Sequence, residues 1–231
     1  MWPERIFIIK KYKAGDEWRI LSDHLLPGGV ACLRRRQYND AMNSFSLFDH
    51  LQQRLQQHSP RRVSKPELAE AGVLVALTDE PQPRLLLTLR SRQLSSHQGE
   101  VAFPGGKRDP EDDSIIVTAL REAQEEVALD PSCVTVLGEL DQVVSRFGYL
   151  VTPVLAIIPP DSEFVANPSE LDAVFTVPLN FFLDEPSGYF QRGSIRIPSY
   201  DYEGFHIWGL TAMMIAEMMN NFWDTDIPFR V

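Results

Sequence analysis

Arg121, Glu122, Glu125 and Glu126 lie close together, downstream of a glycine pair, Gly105-Gly106, and an acidic turn, Asp109-Pro110-Glu111-Asp112-Asp113. At about 100° per residue, Ile116, Ala119, Leu120, Ala123 and Val127 share one stripe, with the glutamates roughly opposite. The spacing predicts a helix that packs on one face and presents three carboxylates on the other. Like charges at i, i+3 and i+4 destabilise an isolated helix by roughly a few tenths of a kcal/mol per pair. A divalent cation reverses that sign. Hard cations such as Mg²⁺ take oxygen ligands and keep several waters, leaving positions for a substrate's phosphate oxygens. A solvated acidic face is the other use of such a run, so the residues in front of the helix carry weight.

Gly105 and Gly106 have no Cβ, which lets the chain turn tightly and brings a main-chain oxygen or N–H close to a metal or phosphate. Asp109-Pro110 marks a turn, and Asp113 or Ser114 is the expected N-cap. The planar fork of Arg121 suits a carboxylate, with Asp112 or Asp113 as its expected partner. Upstream, residues 73–77 and 84–90 read as strands of a hairpin whose loop holds Pro81 and Pro83. A polar loop with His97 inside it leads to residues 100–104, which alternate as a strand and deliver the chain to the glycines.

The run from Gly105-Gly106 to Arg121-Glu122-Ala123-Gln124-Glu125-Glu126-Val127-Ala128-Leu129 resembles the Nudix box of hydrolases that cut a nucleoside diphosphate linked to another group. It differs from the general pattern in three ways. One extra residue precedes Arg121, Asp replaces Glu in the acidic turn, and Ala128 stands where Gly is usual. The first two resemble the coenzyme A pyrophosphatase subgroup, whose boxes read similarly through DPxD and TALREA. A second run, Leu86-Leu87-Thr88-Leu89-Arg90-Ser91 through Leu94, His97 and Gly99-Glu100-Val101-Ala102-Phe103-Pro104, resembles the coenzyme A motif found just upstream of the box in that subgroup.

The resemblance spans about residues 45–212. It implies an α/β fold, an α/β/α sandwich around a mixed sheet. It also implies Mg²⁺ or Mn²⁺ held by Glu122, Glu125 and Glu126, with a main-chain carbonyl of Gly105 or Gly106 nearby. Arg90, Ser91, His97 and the two glycines are the expected substrate contacts; for His97 the alternative is a loop-stabilising hydrogen bond. Some Nudix hydrolases place another acid in a later loop, and Glu170 in the Asn167-Pro168-Ser169-Glu170 turn is the choice for it, ahead of Glu163 and Asp141. The implied products of CoA or acyl-CoA are 3′,5′-ADP and the free or acylated 4′-phosphopantetheine. Two alternatives stay open: a Nudix hydrolase of another diphosphate such as ADP-ribose, and a non-catalytic nucleotide sensor. Retention of the glutamates and Arg121 argues against the sensor.

With 231 residues, 44% of them hydrophobic, one domain with an appendage is expected. A formal charge of −10 argues against nucleic-acid partners. It also means that a polyanionic small substrate needs metal ions to neutralise its site. Two cysteines, Cys32 and Cys133, make no disulfide framework or zinc site and suit a reducing compartment. No apolar run approaches membrane-spanning length, the N-terminus is no signal peptide, and the cytoplasm is expected. A homodimer is left open.

Residues 1–41, with a strand expected over 5–10, a turn at Pro27-Gly28-Gly29 and a basic Arg34-Arg35-Arg36 on the surface, have no counterpart in the resemblance. They are expected to be an extension, or the product of an upstream start codon. Residues 42–68 should form a helix and linker: Phe45, Phe48, Leu51 and Leu55 keep helical spacing, Ser44 or Ser46 caps it, and it packs on the outside of the domain. His58 is expected to be exposed. Residues 69–231 are expected to form the hydrolase domain.

Beyond the box, strands are expected over 134–140, 150–158, 194–198 and 205–208, and the Asn167 turn leads into the run Val174-Phe175-Thr176-Val177-Pro178-Leu179. Pro153 implies an edge or a bulge. Phe147 and Tyr149 are expected to close over the core, stacking on adenine being the alternative. A methionine-rich core helix is expected over 212–222.

Overall fold

In the computed structural model, residues 10–14, 17–21, 46–93 and 98–229 are described. Strands β1 (Lys10–Ala14) and β2 (Glu17–Leu21) pair antiparallel. Helix α1 (Leu47–Gln57) follows, then β3 (Ala69–Thr78), β4 (Arg84–Arg90), β5 (Val101–Ala102) and β6 (Gly105–Lys107). Helix α2 (Ile115–Val127) carries the glutamates. After it come β7 (Thr135–Glu139), β8 (Val143–Val144), β9 (Tyr149–Ile158) and β10 (Leu171–Pro178), then a three-stranded antiparallel meander of β11 (Gly188–Arg192), β12 (Ile195–Tyr202) and β13 (Phe205–Ile207), and finally helix α3 (Gly209–Trp223). Of the expected strand over 5–10, only Lys10 lies among the described residues, where it opens β1. The Pro27 turn, Cys32, Arg34-Arg35-Arg36, Ser44, Phe45, Leu94 and His97 lie outside them.

The main sheet runs β10-β4-β3-β9-β7, with β5, β6 and β8 on its flanks. It is mixed: β3 and β9 are parallel from Ala69↔Tyr149 to Thr78↔Ile158, and the remaining pairs are antiparallel. Alternate residues of the central strands bury opposite faces. Leu74, Ala76, Val154 and Ala156 meet Ala119, Ala123 and Val127 of α2. Val75, Leu77, Leu155 and Ile157 meet the layer of α1 and α3. The result is the expected α/β/α sandwich.

Several expectations change. Ser46 caps α1, its Oγ accepting from Asp49 N–H at 3.1 Å. The helix lies in the outer layer, yet Leu51 is wholly buried. His58 is tucked in, with Nε2 3.2 Å from Asp141 Oδ1. Pro153 lies in a central strand, not at an edge. Its oxygen accepts from Leu140 N–H at 2.8 Å, so its missing N–H faces the gap between β7 and β8, where no ladder bond is lost. Strand β11 went unrecognised, since Gly188-Tyr189-Phe190-Gln191-Arg192 has too short an alternation to stand out from a loop. The methionine-rich helix does form, with Met214, Ile215, Met218, Met219 and Phe222 buried.

Candidate active site

Helix α2 is placed by its first turn. Ser114, the extended N-cap, accepts from Val117 N–H at 3.3 Å. Asp112, buried at 5% exposure, holds the turn together. Its Oδ2 accepts from Asp109 N–H at 3.0 Å and from the Thr118 hydroxyl at 2.9 Å. Arg121 closes on it with both arms of the fork, Nε to Oδ1 at 3.1 Å and Nη2 to Oδ2 at 3.0 Å. Asp112, not Asp113, is therefore the partner. The guanidinium holds the Asp112 carboxyl down at about 2, and Arg121 itself is raised by the same bond.

The packed face of α2 differs from the expected stripe. Ile115, Thr118, Ala119, Ala123, Glu126 and Val127 are buried, while Ile116 and Leu120 are half-buried. Glu126 therefore belongs to the packed side, at 2% exposure, rather than to an open acidic face. This carboxylate reaches Gly105, whose N–H donates to Glu126 Oε2 at 3.1 Å. Arg90, from the end of β4, stands 3.3 Å from Oε1. Burial pushes the Glu126 carboxyl up to about 7, against the pull of Gly105 N–H and Arg90.

Glu122 lies beside Gly106, and its carboxylate fills the place a Cβ there would take: an added Cβ would lie 2.4 Å from Glu122 Cδ. Its carboxyl is raised as well, because burial outweighs the guanidinium of Arg121 3.0 Å away. That guanidinium is shared with Asp112 and with the more exposed Glu125, 3.2 Å from Nη1.

Glu170 joins this group from the turn before β10. Its charge raises both Glu122 and Glu126. Its main-chain oxygen accepts from Ser91 N–H at 2.8 Å, and Asn167 N–H donates to the Glu126 carbonyl at 2.8 Å. The turn is thus stitched to both β4 and α2. Asn167 was not anticipated as a clamp, although Asn-Pro is a recognisable turn signal. Glu163 is exposed, with no contact to these carboxylates among the described residues. Asp141 lies elsewhere, accepting from Arg61 N–H at 2.6 Å on the α1 and α3 side. Phe147 and Tyr149 are exposed at 47% and 36% and do not close over the core.

Glu122, Glu125, Glu126 and Glu170 make an all-oxygen donor set suited to a hard divalent ion. The Glu122 and Glu126 carboxyls are both raised by burial, although Arg121 stands 3.0 Å from Glu122 and Arg90 3.3 Å from Glu126, which suits a site that takes up further positive charge. As the side chains stand, no three His, Cys, Asp or Glu among the described residues are gathered into a ready cage, so an ion would draw them together.

The family model for the NUDIX domain matches residues 68–194. The chain is 48% identical over 154 residues to the protein named "Uncharacterized Nudix hydrolase NudL" of Escherichia coli O7:K1 (strain IAI39 / ExPEC), covering 64% of this chain and 80% of that one. The protein of the same name from Shigella boydii serotype 4 (strain Sb227) gives the same identity and coverage, 48% over 154 residues. Among solved structures, the M. Smegmatis Nudix hydrolase RenU shares 21% identity over 70% of this chain and 90% of its own, with a TM-score of 0.48. The NUDIX domain of Shewanella oneidensis NrtR, solved with ADP ribose, shares 23% identity over 57% of this chain and 84% of its own, with a TM-score of 0.40. The chain belongs to the Nudix family, and its class is that of the Nudix hydrolases. No helix among the described residues is long and apolar enough to cross a membrane.

Proposed function

We propose that the protein is a Mg²⁺- or Mn²⁺-dependent hydrolase of the diphosphate bond of coenzyme A and acyl-CoA. The observation that carries this reading is Arg90: the motif resembling the coenzyme A subgroup ends β4 with a guanidinium 3.3 Å from the most buried box carboxylate, Glu126. Its Nε is buried without a hydrogen-bond partner among the described residues. A fork in that state suits a diphosphate oxygen.

When bound, the metal lowers the pKa of a coordinated water and neutralises phosphoryl charge. Glu122, Glu125 and Glu126 would hold it. Arg121, tied to Asp112, keeps Glu122 and Glu125 aimed. The N–H of Gly105 holds Glu126 in place, and Gly106 leaves the room that Glu122 occupies. Glu170 would be the further acid that takes the proton of the attacking water. Arg90 would meet the substrate from the end of β4, whereas Ser91 is buried at 3% exposure with its hydroxyl accepting from Gln93 N–H at 3.3 Å.

Incubation of the protein with CoA and Mg²⁺ or Mn²⁺, with products identified by mass, tests the reading. The expected products are 3′,5′-ADP and 4′-phosphopantetheine, with ADP-ribose turned over far more slowly. Faster cleavage of ADP-ribose than of CoA would reassign the substrate, and no cleavage of any diphosphate would favour a sensor.

A further inference from the structure

The last turn of an α-helix leaves carbonyls with no partner inside the helix. In α2 two of them are met from a distant segment: Asn167 N–H donates to the Glu126 oxygen at 2.8 Å, and Val165 N–H to the Val127 oxygen at 3.0 Å. Phe164 and Ala166, partly buried, pack against the cluster that holds Ala123, Val127 and Leu171. The segment is therefore fixed to the end of α2 that carries Glu126. From there the chain bends, and the Asn167 carbonyl accepts from Glu170 N–H at 3.0 Å and from Leu171 N–H at 2.9 Å. Ser91 N–H holds the Glu170 oxygen from the other side, at 2.8 Å.

The Asn167 side chain turns into the same bend. Its Oδ1 accepts from Ser169 N–H at 3.1 Å and from the Ser169 hydroxyl at 2.7 Å. A main-chain N–H can only donate, so this contact decides which end of the amide is the oxygen. The Nδ2 end then faces Glu170 and donates to Oε1 over 3.5 Å. Among the described residues this amide is the one hydrogen-bond donor to the Glu170 carboxylate. The charge so held lies near the helix glutamates, since it raises the carboxyls of both Glu122 and Glu126.

We propose that Asn167 is a positioning residue for the reaction: its main chain fastens the turn to the last carbonyls of α2, and its amide holds the Glu170 carboxylate beside those of Glu122 and Glu126. The inference rests on the metal-dependent hydrolase reading and deepens it, by naming what places the one acid that comes from outside α2. Turn formation alone would be served equally well by aspartate, which accepts from Ser169 in the same way. Holding Glu170 would not, because aspartate sets a second carboxylate against it where a donor stood.

The test is a double-mutant cycle on the full chain, with Asn167→Ala, Asn167→Asp and Glu170→Gln alone and combined. It reads kcat and KM on CoA, or on ADP-ribose if that is what the protein cleaves, and Mn²⁺ binding to the substrate-free protein by calorimetry. Asn167→Ala should lower kcat about fivefold and Asn167→Asp about tenfold, with KM within about twofold of the parent. In the Glu170→Gln background neither substitution should add a further loss. Asn167→Ala should likewise weaken Mn²⁺ binding about threefold in the parent and leave it unchanged in Glu170→Gln. Losses of equal size in both backgrounds, or full turnover in Asn167→Asp, overturn the assignment even if CoA is cleaved. If no diphosphate is cleaved yet Mn²⁺ binding shows the coupling, Asn167 keeps its place and the hydrolase reading falls.

Discussion

Helices α2 and α3 cover opposite faces of one sheet, and each buries a glutamate whose carboxyl is pushed up to about 7. Burial is the main cause for both Glu126 and Glu217. Their surroundings differ. Glu217 receives Arg61 Nη2 at 2.9 Å and lies near Asp141, Met214 and Met218 around a void of about 10 Å³. That leaves room for about one water at most. Glu126 instead meets a main-chain N–H and Arg90, with the charges of Glu170 and Glu122 beside it. A perturbed carboxyl is thus a weak marker of chemistry. Glu217 fastens the α1–β3 linker to α3, while Glu126 belongs to the carboxylate group proposed to hold the ion.

The sharpest way to break this comparison is to make the same substitution on both helices. Glu126→Gln should lower turnover about 10²- to 10³-fold in a folded protein, the scale of losing one essential charge-stabilising group. Glu217→Gln should leave turnover within about twofold; comparable losses in both would put Glu217 in the chemistry.

The next largest effect separates packing from aiming within α2. A Cβ on Gly72 would lie 2.7 Å from the Ile115 carbonyl, a backbone atom that cannot step aside, so Gly72→Ala should cost about 2 kcal/mol in urea unfolding. A Cβ on Gly106 meets only the mobile end of Glu122. Gly106→Ala should therefore fold nearly as well as the parent and lose activity by displacing that carboxylate.

A smaller effect concerns pH. A carboxyl raised by folding is protonated in the native state while its unfolded form is ionised, so its contribution is present at low pH and lost as pH rises through about 7. The Tm of the metal-free protein should fall between pH 5 and 8. Glu217→Gln should flatten that fall and stabilise at pH 8 by on the order of 1 kcal/mol, discounted for partial hydration. A curve as steep as the parent's would remove Glu217 from this account.

The smallest concerns the helix ends. Both helices finish on a non-glycine residue in the left-handed region, Ala128 at φ 57° and Asp224 at φ 50°. Ala128→Gly should add roughly 1 kcal/mol, because alanine bears a Cβ penalty there that glycine does not. Asp224→Gly should gain little, since it also removes the 2.5 Å pair with Arg54. A gain at Asp224 equal to that at Ala128 would show that this ion pair contributes nothing.

Much of the candidate site could be read along the chain because its parts are local. Ser114, Asp112, Arg121, Glu122 and Glu125 lie within one turn and one helix, where spacing alone sets who meets whom. Glu126 was placed on the wrong side of α2 because an ideal wheel fixes angles around the helix axis but not which angle meets the sheet. His58 and Asp141 were misjudged for a related reason: their partners lie 83 positions apart along the chain. Phe147 and Tyr149 show the converse, aromatics left exposed at 47% and 36%, the Phe147 ring facing the Arg146 guanidinium 4.6 Å away and not the core.

By itself, then, the sequence determined the glycine turn, the acidic helix with its arginine clasp, the alternating central strands and the methionine-rich core helix, all of them set by local geometry and periodic burial. Only the tertiary structure decided which glutamate is buried, and that Arg90 from β4 and Glu170 from the turn before β10 approach it. Those choices depend on sheet order and helix rotation. They arise from packing summed over distant segments, which no short stretch of sequence contains.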